Sequence, residues 1–115
     1  MMSSNHHVFN LTFQLNKEII EPWLKEMTNT ILPKVVDGEV ILSADLRKVI
    51  LEQEEVPSYA VQFLFPSLKM FNTRKLERLS ILIELMDKSF ANKYVYFGTL
   101  MEMLHRTGMN TSSSS

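Results

Sequence analysis

Tyr59-Ala60-Val61-Gln62-Phe63-Leu64-Phe65, closed by Pro66-Ser67, is the stretch on which the reading of this chain turns. Tyr59, Val61, Phe63 and Phe65 fall on one side of an extended backbone, and Ala60, Gln62 and Leu64 on the other. A period of two in aromatic and branched residues predicts a strand. Pro66 cannot donate to a ladder and Ser67 is a natural helix N-cap, so this strand passes straight into a helix. That helix carries a stripe of Leu79, Leu82, Ile83, Met86 and Phe90, with Leu68, Phe71 and Leu76 placed less cleanly upstream. Asn72-Thr73 are poor helix formers, so the region reads as one kinked helix or two shorter ones.

Outward from this centre the periods repeat. Phe9, Leu11, Phe13 and Leu15 alternate with Val8, Asn10, Thr12 and Gln14, which predicts a half-buried first strand from Val8. Asn16 offers an N-cap, Glu18 and Glu21 suit a helix N-terminus, and Ile20, Trp23, Leu24, Met27 and Ile31 follow at helical spacing. Pro33 is expected to end that helix near Leu32, and Asp37-Gly38 to turn the chain. Val40 to Glu52 reads as a long strand whose phase blurs after Lys48, with a charged turn up to Ser58 making a hairpin with Tyr59–Phe65. Asn92-Lys93 closes the second helical region. Tyr94 to Met103 is the last strand, with Tyr94, Tyr96, Gly98 and Leu100 on one face and Val95, Phe97, Thr99, Met101 and Met103 on the other.

The resulting order, βαββαβ, is the ferredoxin-like split motif: an α+β sandwich with a four-stranded antiparallel sheet and its helices on one face. The chain of 115 residues reads as one domain over 8–105, between a disordered polar start at 1–7 and a disordered Ser-rich tail at 106–115. The last strand is apolar on both faces and the third nearly so. The helices can shield one side of the sheet, and a second copy packed face to face would shield the other, so a homodimer through the sheet is expected.

Composition excludes several chemistries. There is no cysteine, so disulfides, thiolate nucleophiles and Cys-based metal sites are absent. Twelve basic against thirteen acidic residues leave a net charge of −1, without the basic excess of a nucleic-acid binder. No apolar run reaches membrane-spanning length and the start lacks the form of a signal peptide, so a cytoplasmic location is expected. Gly38, Gly98 and Gly108 are too scattered to form a phosphate-binding loop. The eight methionines read as core filler or adaptable contact surface.

The remaining candidates are weighed singly. His6 and His7 sit in the polar start and read as solvated; His105 beside Arg106 reads as structural or solvated rather than as an acid–base group. Glu52, Glu54 and Glu55 read as a solvated turn, and no metal site or cofactor is expected. Lys69, Arg74, Lys75 and Arg78 give the second helical region a basic opening that reads as a solvated face, with RNA or an acidic partner as the less favoured use. Trp23, Tyr59, Tyr94 and Tyr96 are the side chains best able to line a pocket between sheet and helices, each with an apolar body and one polar handle, although packing is the more favoured role. Arg47, His105 or a tyrosine would handle protons if a reaction were catalysed there.

Trp23-Leu24-Lys25-Glu26-Met27, Ile31-Leu32-Pro33, Tyr59-Ala60-Val61-Gln62-Phe63 and Tyr96-Phe97-Gly98-Thr99-Leu100 together resemble the uncharacterised bacterial family DUF4286. The resemblance covers about Val8 to Leu104, and that family is similar in layout to dimeric α+β barrel proteins. Gly98 departs from it, standing where a larger, often basic residue is expected. The resemblance implies a fold and supplies no catalytic residues. The leading expectation is a non-catalytic module that binds a small apolar ligand or a protein partner. The alternative is a cofactor-independent enzyme, oxygenase- or isomerase-like, acting on a small metabolite.

Overall fold

The computed structural model describes residues 5–52 and 56–108. Among them, four strands form one antiparallel sheet in the order β2-β3-β1-β4, the ferredoxin-like arrangement. The strands are β1 (His7–Leu15), β2 (Ser43–Val49), β3 (Ser58–Phe65) and β4 (Tyr94–Glu102). β1 begins one residue earlier than its alternation predicts, because buried His7 pairs with Phe65 on one side and Glu102 on the other. Of the expected disordered segments, residues 1–4 and 109–115 lie outside the described residues, as do Glu54 and Glu55 of the acidic turn.

Cross-strand pairing sorts the side chains into two faces. Leu11, Phe13 and Leu15 of β1 lie on the same face as Tyr59, Val61, Phe63 and Phe65 of β3, and all seven are buried. The core forms where this face meets Trp23, Met27, Ile31, Val35, Phe71, Leu82, Met86 and Phe90 from the helices.

The first helical segment is longer than predicted. A 3-10 turn (Lys17–Ile19) leads into α1 (Ile20–Glu26), a π turn (Met27–Ile31) and α2 (Leu32–Val35). Asn16 starts it through its backbone carbonyl, which accepts from Ile19 N at 3.0 Å, and its side chain makes no cap. Pro33 does not end the helix. In a regular α-helix its ring would crowd the carbonyl four residues back and its missing N–H would break a bond. The π turn relieves both constraints. Leu32 N–H reaches back to Met27 O, the backbone widens, and the helix runs through Pro33 until Val36 N bonds Leu32 O at 2.9 Å. Trp23, Met27, Ile31 and Val35 are thereby kept on one buried line.

β2 is shorter than its sequence suggests. Asp37 Oδ1 accepts from the backbone N–H groups of Glu39, Val40 and Ile41 at 3.0, 2.8 and 3.0 Å, which holds residues 37–41 in a compact turn. Gly38 takes φ 79°, a conformation that disfavours other residues. Val40 and Ile41 are therefore both buried, where a strand would have put one on each face. At its far end β2 stops at Val49, leaving Ile50 81% exposed.

The second helical region is one helix, α3 (Leu68–Phe90), with no break at Asn72-Thr73. Ser67 Oγ caps it, accepting from Met70 N at 3.1 Å. Asn92, at φ 65°, turns the chain into β4.

Candidate functional site

The space between sheet and helices is filled by a chain of aromatic rings. Tyr59 lies 5.8 Å from Trp23, centroid to centroid, and Trp23 lies 5.3 Å from Phe13. Phe13 meets Tyr96 at 5.6 Å and Tyr94 at 6.1 Å, and these two tyrosines lie 6.1 Å apart. Four of the six residues read as pocket candidates are thus brought together, with Phe13 as the hub that the sequence reading had placed only in a strand. Tyr59 and Trp23 stand in dry core, and Trp23 Nε1 is buried without a hydrogen-bond partner among the described residues.

Arg47 and His105 stand apart from this cluster. Arg47 pairs in register with Ala60 and so lies on the sheet face away from the helices, beside Asp45 at 3.4 Å and mostly exposed. His105 follows β4, is exposed, and shares a shallow hollow with Asn5, His6, Met103, Leu104 and Arg106.

A crevice bounded by Phe9, Leu11, Phe63, Phe65, Arg78 and Leu82 holds about 10 Å³, the room of one water molecule. The wider hollows open to solvent. One of them, about 370 Å³ and largely apolar, is a groove between α3 and β4 lined by Leu76, Leu79, Ser80, Ile83, Glu84 and Tyr96. It exists because α3 does not extend over β4. On the helix side of that strand Tyr96 is 40% exposed, Leu100 38%, and Leu76 across the groove 73%.

Gly98 sits between those two β4 residues for a steric reason. A Cβ there would stand 2.8 Å from Phe9 Cζ and 3.3 Å from Leu11 Cδ2. The ring of Phe9 fills the space that a side chain at this position would need.

The opposite face of the sheet is exposed along β2 and β4, buried at Ser58 and Ala60 of β3, and arranged in rows. One row runs Ser43, Leu64, Val8, Met101; the next Asp45, Gln62, Asn10, Thr99; the next Arg47, Ala60, Thr12, Phe97. An uncharged and largely apolar row therefore flanks a polar one, and Asn10 Nδ2 donates to Thr12 Oγ1 at 2.9 Å. This face is less uniformly apolar than the two-sided β4 pattern suggests. Its apolar weight lies along β4, where Val95 and Phe97 are 65% and 62% exposed.

The basic opening of α3 is largely engaged within the molecule. Arg78 reaches Asp37 at 2.9 Å, Arg74 pairs with Glu77, and Lys75 Nζ lies 5.2 Å above the Phe71 ring. Burial raises the Asp37 carboxyl, but the three backbone N–H groups and the Arg78 charge outweigh it and hold the group down at about 2. Tyr94 is pushed well above the ordinary tyrosine range, first by burial and then by donating its hydroxyl to Asp87 Oδ1 at 2.7 Å. Among the described residues no three His, Asp or Glu side chains gather as a metal set would. No helix among them is long and apolar enough to cross a membrane.

Comparison with known proteins places these features in context. The model of a family described as a domain of unknown function, DUF4286, matches residues 6–104. No curated protein matches the sequence. Among solved structures, a candidate antibiotic biosynthesis monooxygenase from Nitrosomonas europaea superimposes with TM-score 0.64 at 13% identity, over 94% of this chain and 99% of that one. A NIPSNAP-like domain protein from Burkholderia xenovorans gives 0.64 at 8% identity, over 92% and 91%. A dimeric ferredoxin-like protein from an uncultured marine organism gives 0.59 at 9% identity, over 91% and 100%. Likenesses at such identity show the ferredoxin-like fold alone.

Proposed function

The chain belongs to the DUF4286 family, and from that premise we propose that it is a non-catalytic interaction module, a cytoplasmic homodimer joined through the open face of its sheet. The observation that carries this reading is the filled interior. The rings of Tyr59, Trp23 and Phe13 occupy the space where a substrate would have to sit, and the crevice beside Phe9 and Leu82 has room for about one water. A catalytic pocket for a small metabolite needs a few hundred Å³ with convergent polar groups. The dimeric ferredoxin-like neighbour supports the pairing by analogy of fold.

The open face suits a second copy. Its polar row can exchange hydrogen bonds while the rows on either side bury Leu64, Val8, Met101 and Phe97, the mixed composition usual for interfaces. Four strands spaced about 4.8 Å apart and roughly 25 Å long present a footprint on the order of 500 Å², smaller than a standard interface half, so a weak pairing is expected.

The enzyme reading keeps one supporting feature, the open groove at Tyr96, where a hydroxyl stands beside apolar walls. Light scattering on the wild type and on Phe97→Lys, together with a thermal-shift screen of small apolar molecules, tests the proposal. A self-associated wild type that Phe97→Lys weakens by tenfold or more, with no ligand-induced stabilisation, supports it. A monomeric wild type, or turnover of any ligand found, overturns it.

A further inference from the structure

Packing sheet on sheet covers only one side of β4. The other side, with Tyr96, Leu100 and the groove against Leu76 and Ile83, stays in water, and so does the outer edge of the strand. The two edges of the sheet are unlike. β2 carries Asp45, Arg47 and Lys48, charges of the kind that guard an edge against pairing. β4 reads Tyr-Val-Tyr-Phe-Gly-Thr-Leu-Met before its only charge, Glu102, with no proline to interrupt it.

The backbone groups that face outward are fixed by the ladder. Met103 N donates to His6 O at 2.9 Å and Asn16 N to Lys93 O at 3.0 Å, and both pairs continue the β1–β4 register. In an antiparallel ladder the bonded pairs recur at every second residue. Val95, Phe97, Thr99 and Met101 therefore turn their N–H and C=O groups toward β1, and Tyr94, Tyr96, Gly98, Leu100 and Glu102 turn theirs to the free edge.

We propose that a second copy of this chain pairs edge to edge with β4, antiparallel about a two-fold axis at Gly98, so that two sheets become one. The outward residues then match in a bonded register. Gly98 faces the partner's Gly98, Tyr96 the partner's Leu100, and Tyr94 the partner's Glu102. Five outward residues in each of two copies make about ten backbone hydrogen bonds. The same register lays the partner's Leu100 beside Tyr96 at the mouth of the groove, and sets Val95 beside the partner's Met101 on the other face. The strip gained is about 30 Å long and about 10 Å deep, on the order of 300 Å² per copy and below the size of a standard interface, so weak association that dissociates on dilution is expected.

This contact is independent of the sheet-face pairing, and with both in place the assembly exceeds a dimer. Leu100→Pro tests it, because proline there removes an outward N–H and leaves the bonds to β1 intact; Leu100→Ala, which keeps that N–H, is the control. Sedimentation equilibrium is read alongside circular dichroism, with Phe97→Lys as the face variant. The inference predicts that Leu100→Pro halves the assembly mass with the fold retained, that Leu100→Ala does not, and that Phe97→Lys combined with Leu100→Pro gives monomer. A mass unchanged by Leu100→Pro overturns the edge pairing and leaves the face pairing standing. A mass halved by Leu100→Pro but unmoved by Phe97→Lys keeps the edge pairing and removes the face pairing. If Leu100→Pro unfolds the chain, Leu100→Lys reads the same mass change, and an unchanged mass there overturns the inference. Saturable binding of an unrelated extended peptide to a monomeric wild type overturns it in favour of a foreign strand.

Discussion

The ring of Phe9 lies over the Cα of Gly98, so close that a single added carbon would stand 2.8 Å from Cζ. The ring is held there by Phe71 on α3 at 5.1 Å. This contact ties the edge strand to a helix that does not otherwise cover it. Gly98→Ala is expected to push the ring aside and cost about 1–3 kcal/mol, read by urea denaturation. Phe9→Leu should recover much of that loss in the double variant, since the crowding atoms belong to the ring. Equal losses in the presence and absence of Phe9 would show that the contact is not the cause.

Trp23, the chain's single tryptophan, is fully buried between Phe13 and Tyr59. Its fluorescence should be blue-shifted and shielded from iodide in the native protein, and should move red on unfolding. Trp23→Ala is expected to cost about 3–5 kcal/mol, because it opens a cavity at the centre of the ring chain. Emission typical of an exposed indole in the native state would contradict the dry setting.

Asp37 makes stability depend on acid. Its carboxyl titrates near 3.8 ordinarily and near 2 in the folded chain, so the unfolded chain takes up the proton first as pH falls. The stabilisation is complete above about pH 4 and is lost progressively toward pH 2. The carboxylate remains partly in contact with water, so the effect is set at about 1 kcal/mol. Asp37→Asn should lower stability at neutral pH by that order and flatten the acid limb of a denaturation series between pH 4 and 2. An unchanged acid limb would show that other carboxylates carry it.

Tyr94 acts in the opposite pH range. Folding favours its neutral form, so its contribution is present below the ordinary tyrosine pKa and is lost as pH rises beyond it. The difference between the ultraviolet titrations of the wild type and Tyr94→Phe should show a tyrosine that ionises well above the usual range. Loss of the bond to Asp87 should cost about 1 kcal/mol at neutral pH, read by thermal denaturation. A difference curve at the ordinary tyrosine position would sink the assignment.

The parts of the fold that could be read in the sequence are those governed by a strict period. Alternation through Phe9–Leu15 and Tyr59–Phe65, and the stripe Leu79-Leu82-Ile83-Met86-Phe90, follow from how strands and helices present their side chains. Two features escaped because a local contact overrode the period. The π turn carried the helix through Pro33, and one carboxylate oxygen of Asp37 gathered three N–H groups that a strand would have used elsewhere. At the candidate site, Trp23, Tyr59, Tyr94 and Tyr96 were recognisable from their amphipathic side chains. That their shared centre is Phe13 depends on pairing across β1 and β4. The separation of Arg47 from them depends on strand phase, since its register partner Ala60 points away from the helices. The exposure of Tyr96 and Leu100 was hidden for another reason: a stripe shows which way a helix faces, not how far across the sheet it reaches.

The unequal margins of the sheet carry a last consequence. One border is bare and the other fenced with charge, so lateral growth has a single place to begin and none to continue. Two molecules that meet along their bare borders present only fenced ones to the outside. Ribbons and fibrils, the usual hazard of an unguarded strand, are thereby stopped at the first addition. Removing the charges of Asp45, Arg47 and Lys48 together would be expected to turn a terminating union into an open-ended polymer.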